Sequence, residues 1–377
     1  MVRGPVRALF LLLAAVLLAG GAAGCGGPGA AARPDAAERA VREAVARWSA
    51  RPPAALAAVP LEGWTYGVTS VRRDGARAVV GAELRYRLTG YDAAPAVSAR
   101  TLSLSEDGDG WHVTGDRPAP GALPQLWDQG PVSVVRGDHA LVLGGRGRSR
   151  ESLEEVAVVA GRAVPEVSAA WPRPWAGRVV VVVPADLDAM AALLGRPADS
   201  YRGLAAVTTG LVGVSPAPAD RVVVNPQAYE GLSELGRQVV LTHESTHVAT
   251  RSATTASTPL WLSEGFADWA AYRSAGRTPA QAAPALRRAV GRGELPSALP
   301  PNEAFTFGGD AQAMARAYEG AWLACRLIAD RWGEAALVRL YAEAGRNSLP
   351  TALRSTLGTD LADLTRTWQS SLREELR

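Results

Sequence analysis

Strand-type and helix-type patterns are segregated along this chain, and that order limits the possible folds more than any other feature of the sequence. Four early segments alternate apolar and polar residues or are rich in β-branched residues: Trp64–Val71, Ala78–Leu88, Val97–Glu106 and Gly110–Thr114. After Glu230, apolar residues recur at helical spacing as far as the C-terminus. Strands followed by helices are typical of α+β proteins, and we predict that class here.

A stretch rich in proline and glycine between Asp116 and Pro124 divides the chain, whose 377 residues suffice for two domains. Before this stretch, Asp35–Ser49 has the spacing of an amphipathic helix and precedes the four strands. A helix followed by a curled antiparallel sheet resembles the small NTF2-like and cystatin-like domains, in pattern only. We predict an N-terminal domain over residues 35–126 and a second domain over residues 127–377.

The second domain mixes strands with helices before its helical half begins. Apolar runs and turn residues predict the following elements: a hairpin of Val132–Val135 and Ala140–Leu143, a helix over Ser149–Ala170, a strand at Arg178–Val183, a helix over Asp186–Leu194, and strands at Leu204–Val214 and Arg221–Asn225. Asn225 ends the last of these strands. If that strand lies at the edge of a sheet, Asn225 could face an extended peptide that adds to it.

The first residues of the chain have the pattern of a secretion signal. Arg3 and Arg7 supply positive charge and precede an unbroken apolar run, Ala8–Leu18. That run is too short to cross a hydrocarbon core of about 30 Å as a helix. We therefore predict a cleaved signal peptide over residues 1–24 and not a membrane span.

Small residues follow the apolar run and end at Cys25. The segment Ala22-Ala23-Gly24-Cys25 resembles a bacterial lipobox, although such motifs usually have leucine where Ala22 stands. The resemblance implies an exported protein held at the outer face of the bacterial cytoplasmic membrane by lipid on Cys25, with a flexible tether over residues 25–34. The alternative is an ordinary cleaved signal with an incidental cysteine.

The charge and the cysteine content exclude two classes of protein. A formal net charge of +3, without a run of Lys and Arg, is not the pattern of a nucleic-acid-binding protein, and we expect no nucleic-acid partner. The chain has only two cysteines, so a disulfide framework is not expected. Cys325 lies within an apolar helical pattern and is interpreted as a small buried hydrophobe.

A predicted helix over about Ser233–Thr250 contains the pattern H-E-x-x-H. Positions four apart lie on one helix face, so His243 and His247 could bind one zinc ion at about 2.0–2.1 Å through neutral rings. Glu244 would then project beside the open position of the metal. The alternative is two histidines and an acid on a solvated face, but two of the four histidines of the chain fall here.

A second helical segment begins at Pro259 and contains the pattern W-L-x-E-G-x-A over Trp261–Ala267. Together with H-E-x-x-H, this pattern resembles the gluzincins, the superfamily of thermolysin and the M1 aminopeptidases, and their peptidase MA-like members. The resemblance implies a zinc metallopeptidase domain over residues 127–377. It also implies that Glu264 is the third Zn²⁺ ligand and Glu244 the catalytic base.

Metal chemistry favours Glu264 as well, because a catalytic zinc takes three protein ligands and a water, and the two histidines supply only two. The alternative is an exposed helix acid. That alternative is less favoured because Trp261, Phe266 and Trp269 flank the glutamate. Ser263 departs from the family, which often has asparagine before the third ligand.

Two further residues have candidate roles. Asp268 is four residues after Glu264 and could accept a hydrogen bond from the free ring N–H of His243, as acids at this spacing do in thermolysin-like members. The alternative for Asp268 is a solvated charge. Tyr318 lies in a segment that resembles one in many such peptidases, where a tyrosine hydroxyl stabilises the oxyanion. A tyrosine that only packs between helices is the alternative for Tyr318.

These features predict zinc-dependent hydrolysis of a peptide or protein substrate by a cell-surface lipoprotein. A G-x-M-E-N segment, with which M1 relatives bind a free substrate amine, is absent from the sequence, so an endopeptidase is favoured over an aminopeptidase. One alternative is a non-catalytic surface lipoprotein that uses a peptidase-like zinc domain as a binding scaffold. Another is an accidental motif on a metal-free helical protein. The sequence specifies neither the substrate nor the oligomeric state.

Overall fold

The fold of this chain is α+β, as predicted. A computed structural model describes residues 11–14, 35–210, 220–306 and 310–376. It contains a helix on an antiparallel sheet, then a mixed sheet, then a helical C-terminal half. Most of the predicted signal peptide, together with Cys25 and the tether over 25–34, lies outside the described residues.

The N-terminal sheet has four antiparallel strands in sequential order, and helix α1 (Ala36–Trp48) packs on it. Its strands are β2 (Leu61–Asp74), β3 (Arg77–Leu88), β4 (Ala96–Asp107) and β5 (Gly110–Pro118). The Asp35 carboxylate begins α1 by accepting the backbone N–H of Glu38 at 2.6 Å. The apolar side of α1 is buried against the sheet, so the predicted arrangement of helix and strands is confirmed.

The second sheet has six strands in the order β1-β9-β10-β8-β7-β6. Its strands are β1 (Leu11–Ala14), β6 (Ser133–Arg136), β7 (Ala140–Gly144), β8 (Val179–Val183), β9 (Leu204–Thr208) and β10 (Arg221–Val224). Strand β10 is parallel to β8 and antiparallel to β9. Strand β9 is shorter than the predicted Leu204–Val214: it ends before Gly210, whose φ of 138° is a conformation that L-residues rarely adopt.

Eleven helices of the described residues belong to the second half of the fold. They are α2 (Arg150–Ala170), α3 (Leu187–Leu194), α4 (Pro226–Glu230), α5 (Glu234–Thr250), α6 (Leu260–Tyr272), α7 (Pro279–Ala282), α8 (Pro284–Gly291), α9 (Ala311–Trp332), α10 (Glu334–Ala344), α11 (Leu349–Leu357) and α12 (Leu361–Glu375). None of these described helices combines the length and the apolar character needed to cross a membrane. Cys325 is fully buried in α9 with a free thiol, as expected of a small hydrophobe.

The two sheets share one apolar cluster. Leu84 and Leu88 of the first sheet pack in it together with Val180 and Val223 of the second. Leu126 belongs to the same cluster, so the chain at the predicted boundary is packed between the sheets.

A buried ion pair also fixes the segment that joins the sheets. Arg100 on β4, with a side chain only 1% exposed, contacts Asp116 at 2.8 Å and Asp128 at 2.7 Å. A guanidinium this deeply buried needs such partners, because unpaired buried charge is strongly unfavourable. Because Asp116 belongs to β5 and Asp128 follows the proline-rich stretch, Arg100 attaches the far end of the joining segment to the first sheet.

Candidate metal centre

Helix α5 carries the two histidines of the H-E-x-x-H pattern. The helix begins where the Ser233 hydroxyl accepts the backbone N–H of Gly236 at 3.1 Å. It packs against α2, α6 and strand β9, so both of its faces are buried, including the one that carries the histidines. His243 and His247 are 0% and 4% exposed. Their Nε2 atoms lie 3.0 Å apart, as expected of neighbours on one face.

Helix α6 brings Glu264 to the same place. Its carboxylate Oε2 lies 3.3 Å from Nε2 of His243 and 3.4 Å from Nε2 of His247. The alternative of an exposed helix acid is wrong, because Glu264 is 2% exposed. Burial raises the pKa of Glu264, but the two histidines lower it more strongly, so the carboxyl group is ionised.

The three candidate ligand atoms form a triangle with sides of 3.0, 3.3 and 3.4 Å. Tetrahedral coordination at about 2.0–2.1 Å from a zinc ion places ligand atoms roughly 3.3–3.4 Å apart. Two of the observed separations agree with this value and the third is a little shorter. The group can therefore hold one metal ion with little movement of its side chains.

Asp268 orients the first histidine. Its Oδ1 lies 2.7 Å from Nδ1 of His243, and the carboxylate is 6% exposed, so the solvated-charge alternative is wrong. In the neutral ring that binds a metal, the hydrogen lies on Nδ1 and is donated to Asp268, so that Nε2 keeps its lone pair for the metal. Burial lowers the pKa of His243, but the Asp268 carboxylate outweighs burial and raises it.

Three buried polar atoms at this site lack a hydrogen-bond partner among the described residues: Oε1 of Glu244, Oε2 of Glu264 and the hydroxyl of Tyr318. Buried polar atoms are nearly always paired, so a group of unpaired ones indicates a place for an ion or a ligand. A cation would satisfy Glu264, and a water or substrate would satisfy the other two. The residues present thus fit a metal centre.

Gly265, next to the candidate ligand Glu264, allows α9 to pack closely against α6 at the site. A Cβ atom at Gly265 would lie 2.3 Å from the carbonyl oxygen of Ala321, so only glycine allows the two helices to approach this closely. Tyr318 is three residues before Ala321 and is therefore on the same side of α9. Burial and the nearby Glu264 carboxylate raise the pKa of Tyr318 well above its ordinary value, so the hydroxyl keeps its hydrogen.

The site also contains a contact that the sequence analysis did not include. The hydroxyl of Thr208, at the end of β9, donates a hydrogen bond of 2.6 Å to Oε2 of Glu244. Both residues are 0% exposed, and burial raises the pKa of Glu244. No local signal identifies Thr208, because a threonine at a strand end is common and its partner is 36 positions away.

Asn225 does not face the site, and the idea that it lies at a sheet edge is wrong. Strand β10, which it follows, is an inner strand between β9 and β8. The Asn225 side chain accepts the backbone N–H of Ala228 and so begins α4, while its amide donates to the carbonyl of Tyr201 at 3.0 Å. Asparagine followed by proline is a common start of a helix, so Asn225 could be interpreted either as the end of a strand or as the cap of a helix. The structure has it as the cap of α4.

A cavity of about 280 Å³ adjoins the centre. Val239 from the first half of α5, Asp268 from α6 and Tyr318 from α9 contribute to its wall, with Trp322 one turn further along α9. The cavity is large enough to accept one side chain of a bound molecule and meets the site at Asp268 and Tyr318, while none of the three candidate ligands lines it.

Comparison of the sequence with protein-family models gives no match, and no curated protein matches it. The likeness to gluzincins therefore rests on the two helical motifs and on the geometry described above.

Proposed function

We propose that this protein is a zinc-dependent peptidase of the gluzincin type. The observation that carries the proposal is the triangle formed by the nitrogen atoms of His243 and His247 and the carboxylate of Glu264, whose sides are close to those of tetrahedral zinc coordination. Zinc prefers such a set of imidazole and carboxylate ligands. The unpaired oxygen of Glu244 beside the triangle favours hydrolysis over a purely structural metal.

The proposed ligands are His243, His247 and Glu264, with Asp268 holding His243 in the required tautomer. Zinc, when bound, supplies Lewis-acid chemistry that polarises a carbonyl and lowers the pKa of water. Glu244 accepts the proton of the attacking water at Oε1 and passes it to the leaving amine nitrogen. Its burial suits this role, because a raised pKa makes a carboxylate a better base.

Tyr318 is proposed to donate its hydroxyl hydrogen to the oxygen that gains negative charge when the peptide carbonyl is attacked. Its hydroxyl is buried and protonated beside the Glu264 carboxylate, where the oxygen of a bound carbonyl group would accept its hydrogen. The adjoining cavity would accept a side chain of the substrate. Without a G-x-M-E-N segment in the sequence, we propose an endopeptidase.

The proposed location is the outer face of the bacterial cytoplasmic membrane, with the chain anchored by lipid on Cys25. This part of the proposal rests on the sequence of residues 1–25 alone. Cleavage before Cys25 would remove β1 (Leu11–Ala14), so the mature sheet would keep the five strands β9-β10-β8-β7-β6. Metabolic labelling with a radioactive fatty acid tests it: incorporation is expected in the wild type and is lost in Cys25→Ser. Equal labelling of both proteins contradicts it.

Metal analysis and peptide hydrolysis test the enzymatic proposal. The purified chain should contain one equivalent of zinc, cleave members of a mixed peptide library, lose this activity with a chelator and regain it with zinc. Glu244→Gln should retain zinc and lose hydrolysis. Iron in place of zinc, or hydrolysis by Glu244→Gln at the wild-type rate, contradicts the proposal, and zinc without hydrolysis favours a binding scaffold.

A further inference from the structure

Thr208 makes two contacts with the residue proposed as the catalytic base. Its hydroxyl lies 2.6 Å from the side-chain Oε2 of Glu244 and 3.1 Å from the backbone carbonyl oxygen of the same residue. A hydroxyl carries one hydrogen, so it donates to one of these oxygens at a time. The shorter distance and the charge of a carboxylate favour Oε2.

This contact makes the two carboxylate oxygens of Glu244 differ in their hydrogen bonding. Oε2 is held by Thr208, whereas Oε1 is buried and has no hydrogen-bond partner among the described residues. A carboxylate held at one oxygen cannot rotate freely about its last side-chain bond. We propose that Thr208 is a positioning residue, which fixes the Glu244 carboxylate so that Oε1 is the oxygen that takes the proton of the attacking water. This inference rests on the proposed function.

The backbone around Thr208 is itself fixed to α5 and to the sheet. Thr208 pairs with Val222 in the β9–β10 ladder. One residue on, the Thr209 carbonyl accepts a hydrogen bond of 3.3 Å from Arg251, the C-cap residue that follows α5. The Arg251 guanidinium also contacts Asp220, just before β10, at 2.6 Å. The C-terminal end of β9 is thus connected at a second point to α5, the helix that carries Glu244. This connection keeps the hydroxyl of Thr208 in register with Glu244.

The test compares Thr208→Val, which removes the hydroxyl at constant shape, with Thr208→Ser, which keeps it. In the zinc-loaded full-length protein, Thr208→Val should lower kcat roughly 10- to 100-fold, as loss of a supporting contact typically does, with little change in KM. Thr208→Ser should restore most of kcat. Thr356→Val, the same change at a hydroxyl that donates to the Ala352 carbonyl within α11 and has no contact with Glu244, serves as the matched control and should keep wild-type kcat.

A second measurement does not depend on cleavage. Acetohydroxamate binds zinc and gives up a proton to a neighbouring base, so its affinity, measured by calorimetry, depends on a well-placed Glu244. Thr208→Val should weaken this binding in the wild-type background and should have no further effect in Glu244→Ala, because residues that act through one another are not additive.

The outcomes separate the two proposals. Wild-type kcat and hydroxamate affinity in Thr208→Val overturn the role of Thr208, and so does an equal loss in the Glu244→Ala background or a loss that Thr208→Ser does not restore. A wild-type protein that binds zinc and hydroxamate but cleaves no peptide contradicts the proposed hydrolysis, while the hydroxamate measurement still tests Thr208. A wild-type protein that binds no zinc overturns both.

Discussion

The Nδ1 atom of His243 lies 2.7 Å from the Oδ1 atom of Asp268, and both residues are buried. The Nδ1 atom of the imidazole ring is thereby hydrogen-bonded to a carboxylate, and its Nε2 atom faces Glu264 and His247.

Removal of the Asp268 carboxylate should weaken metal binding without displacing the ligands. Asp268→Ala leaves the ring of His243 free to rotate and to change tautomer, and we expect zinc affinity to fall roughly 10- to 100-fold. Asp268→Asn keeps an oxygen that can accept the ring N–H and should lose less. Competition with a chromophoric chelator measures both. Asp330→Ala, at an acid 61% exposed on α9, is the control, and unchanged affinity in Asp268→Ala would contradict the assignment.

Tyr318→Phe distinguishes an oxyanion donor from a tyrosine that only packs. The substitution keeps the ring, so folding and zinc content should be those of the wild type, while kcat should fall by about 10²–10³-fold if the hydroxyl stabilises the transition state. The measurement is steady-state hydrolysis of a peptide that the wild type cleaves. Tyr229→Phe is a matched control, because the Tyr229 hydroxyl is also buried and unpaired among the described residues but belongs to α4. A kcat equal to that of the wild type assigns Tyr318 to packing.

Gly265→Ala should destabilise the protein, because the new methyl group would lie 2.3 Å from the carbonyl oxygen of Ala321 on α9. Forcing these helices apart should lower the free energy of unfolding by about 1–3 kcal/mol. Denaturant unfolding of the metal-free protein measures this. At Gly161, inside α2, a Cβ atom meets nothing within 4 Å, so Gly161→Ala should be neutral or stabilising. If both variants unfold at the same denaturant concentration, the close approach of α6 and α9 does not require glycine.

Glu319 should make stability depend on pH. Its carboxylate accepts the backbone N–H groups of Ala285 and Leu286 at the start of α8, but burial outweighs these donors and raises its pKa to about 7 from 4.5. A carboxyl group whose pKa rises on folding stabilises the protein while it is protonated. Its contribution is therefore present below pH 4.5 and is lost as the pH rises through about 7.

Glu319→Gln keeps an acceptor oxygen and removes this titration. The melting temperature of the variant should consequently fall less than that of the wild type between pH 4.5 and pH 7. Glu374→Gln, at an exposed position on α12, should leave the wild-type profile unchanged. Parallel pH profiles of wild type and Glu319→Gln would mean that Glu319 ionises normally.

The elements that the sequence predicted well are those with strong periodicity. Helices α1, α2 and α5 begin and end within one residue of their predicted positions, because capping residues such as Asp35 and Ser233 stand next to clear apolar patterns, and α6 begins one residue after the predicted Pro259. The spacing of His243 and His247 also predicted their proximity, since they share a helix face, whereas Glu264 was expected beside them from the resemblance to gluzincins and from the need for a third zinc ligand. These are local signals, and local signals can be read from one sequence.

Contacts between distant segments could not be predicted in this way. The contact of Thr208 with Glu244 depends on how β9 crosses α5, and the chain offers many threonines. Asn225 was misassigned because strand order in the sheet, which places β10 inside, is not encoded in the strand itself.

The apolar cluster between the two sheets has a consequence for shortened forms of the chain. If translation began near residue 127, the face of the second sheet that includes Val180 and Val223 would lose its cover and meet water. Uncovered apolar strands of this kind associate with one another. The second half is accordingly expected to precipitate when produced alone, because in the folded chain the N-terminal sheet covers this apolar face.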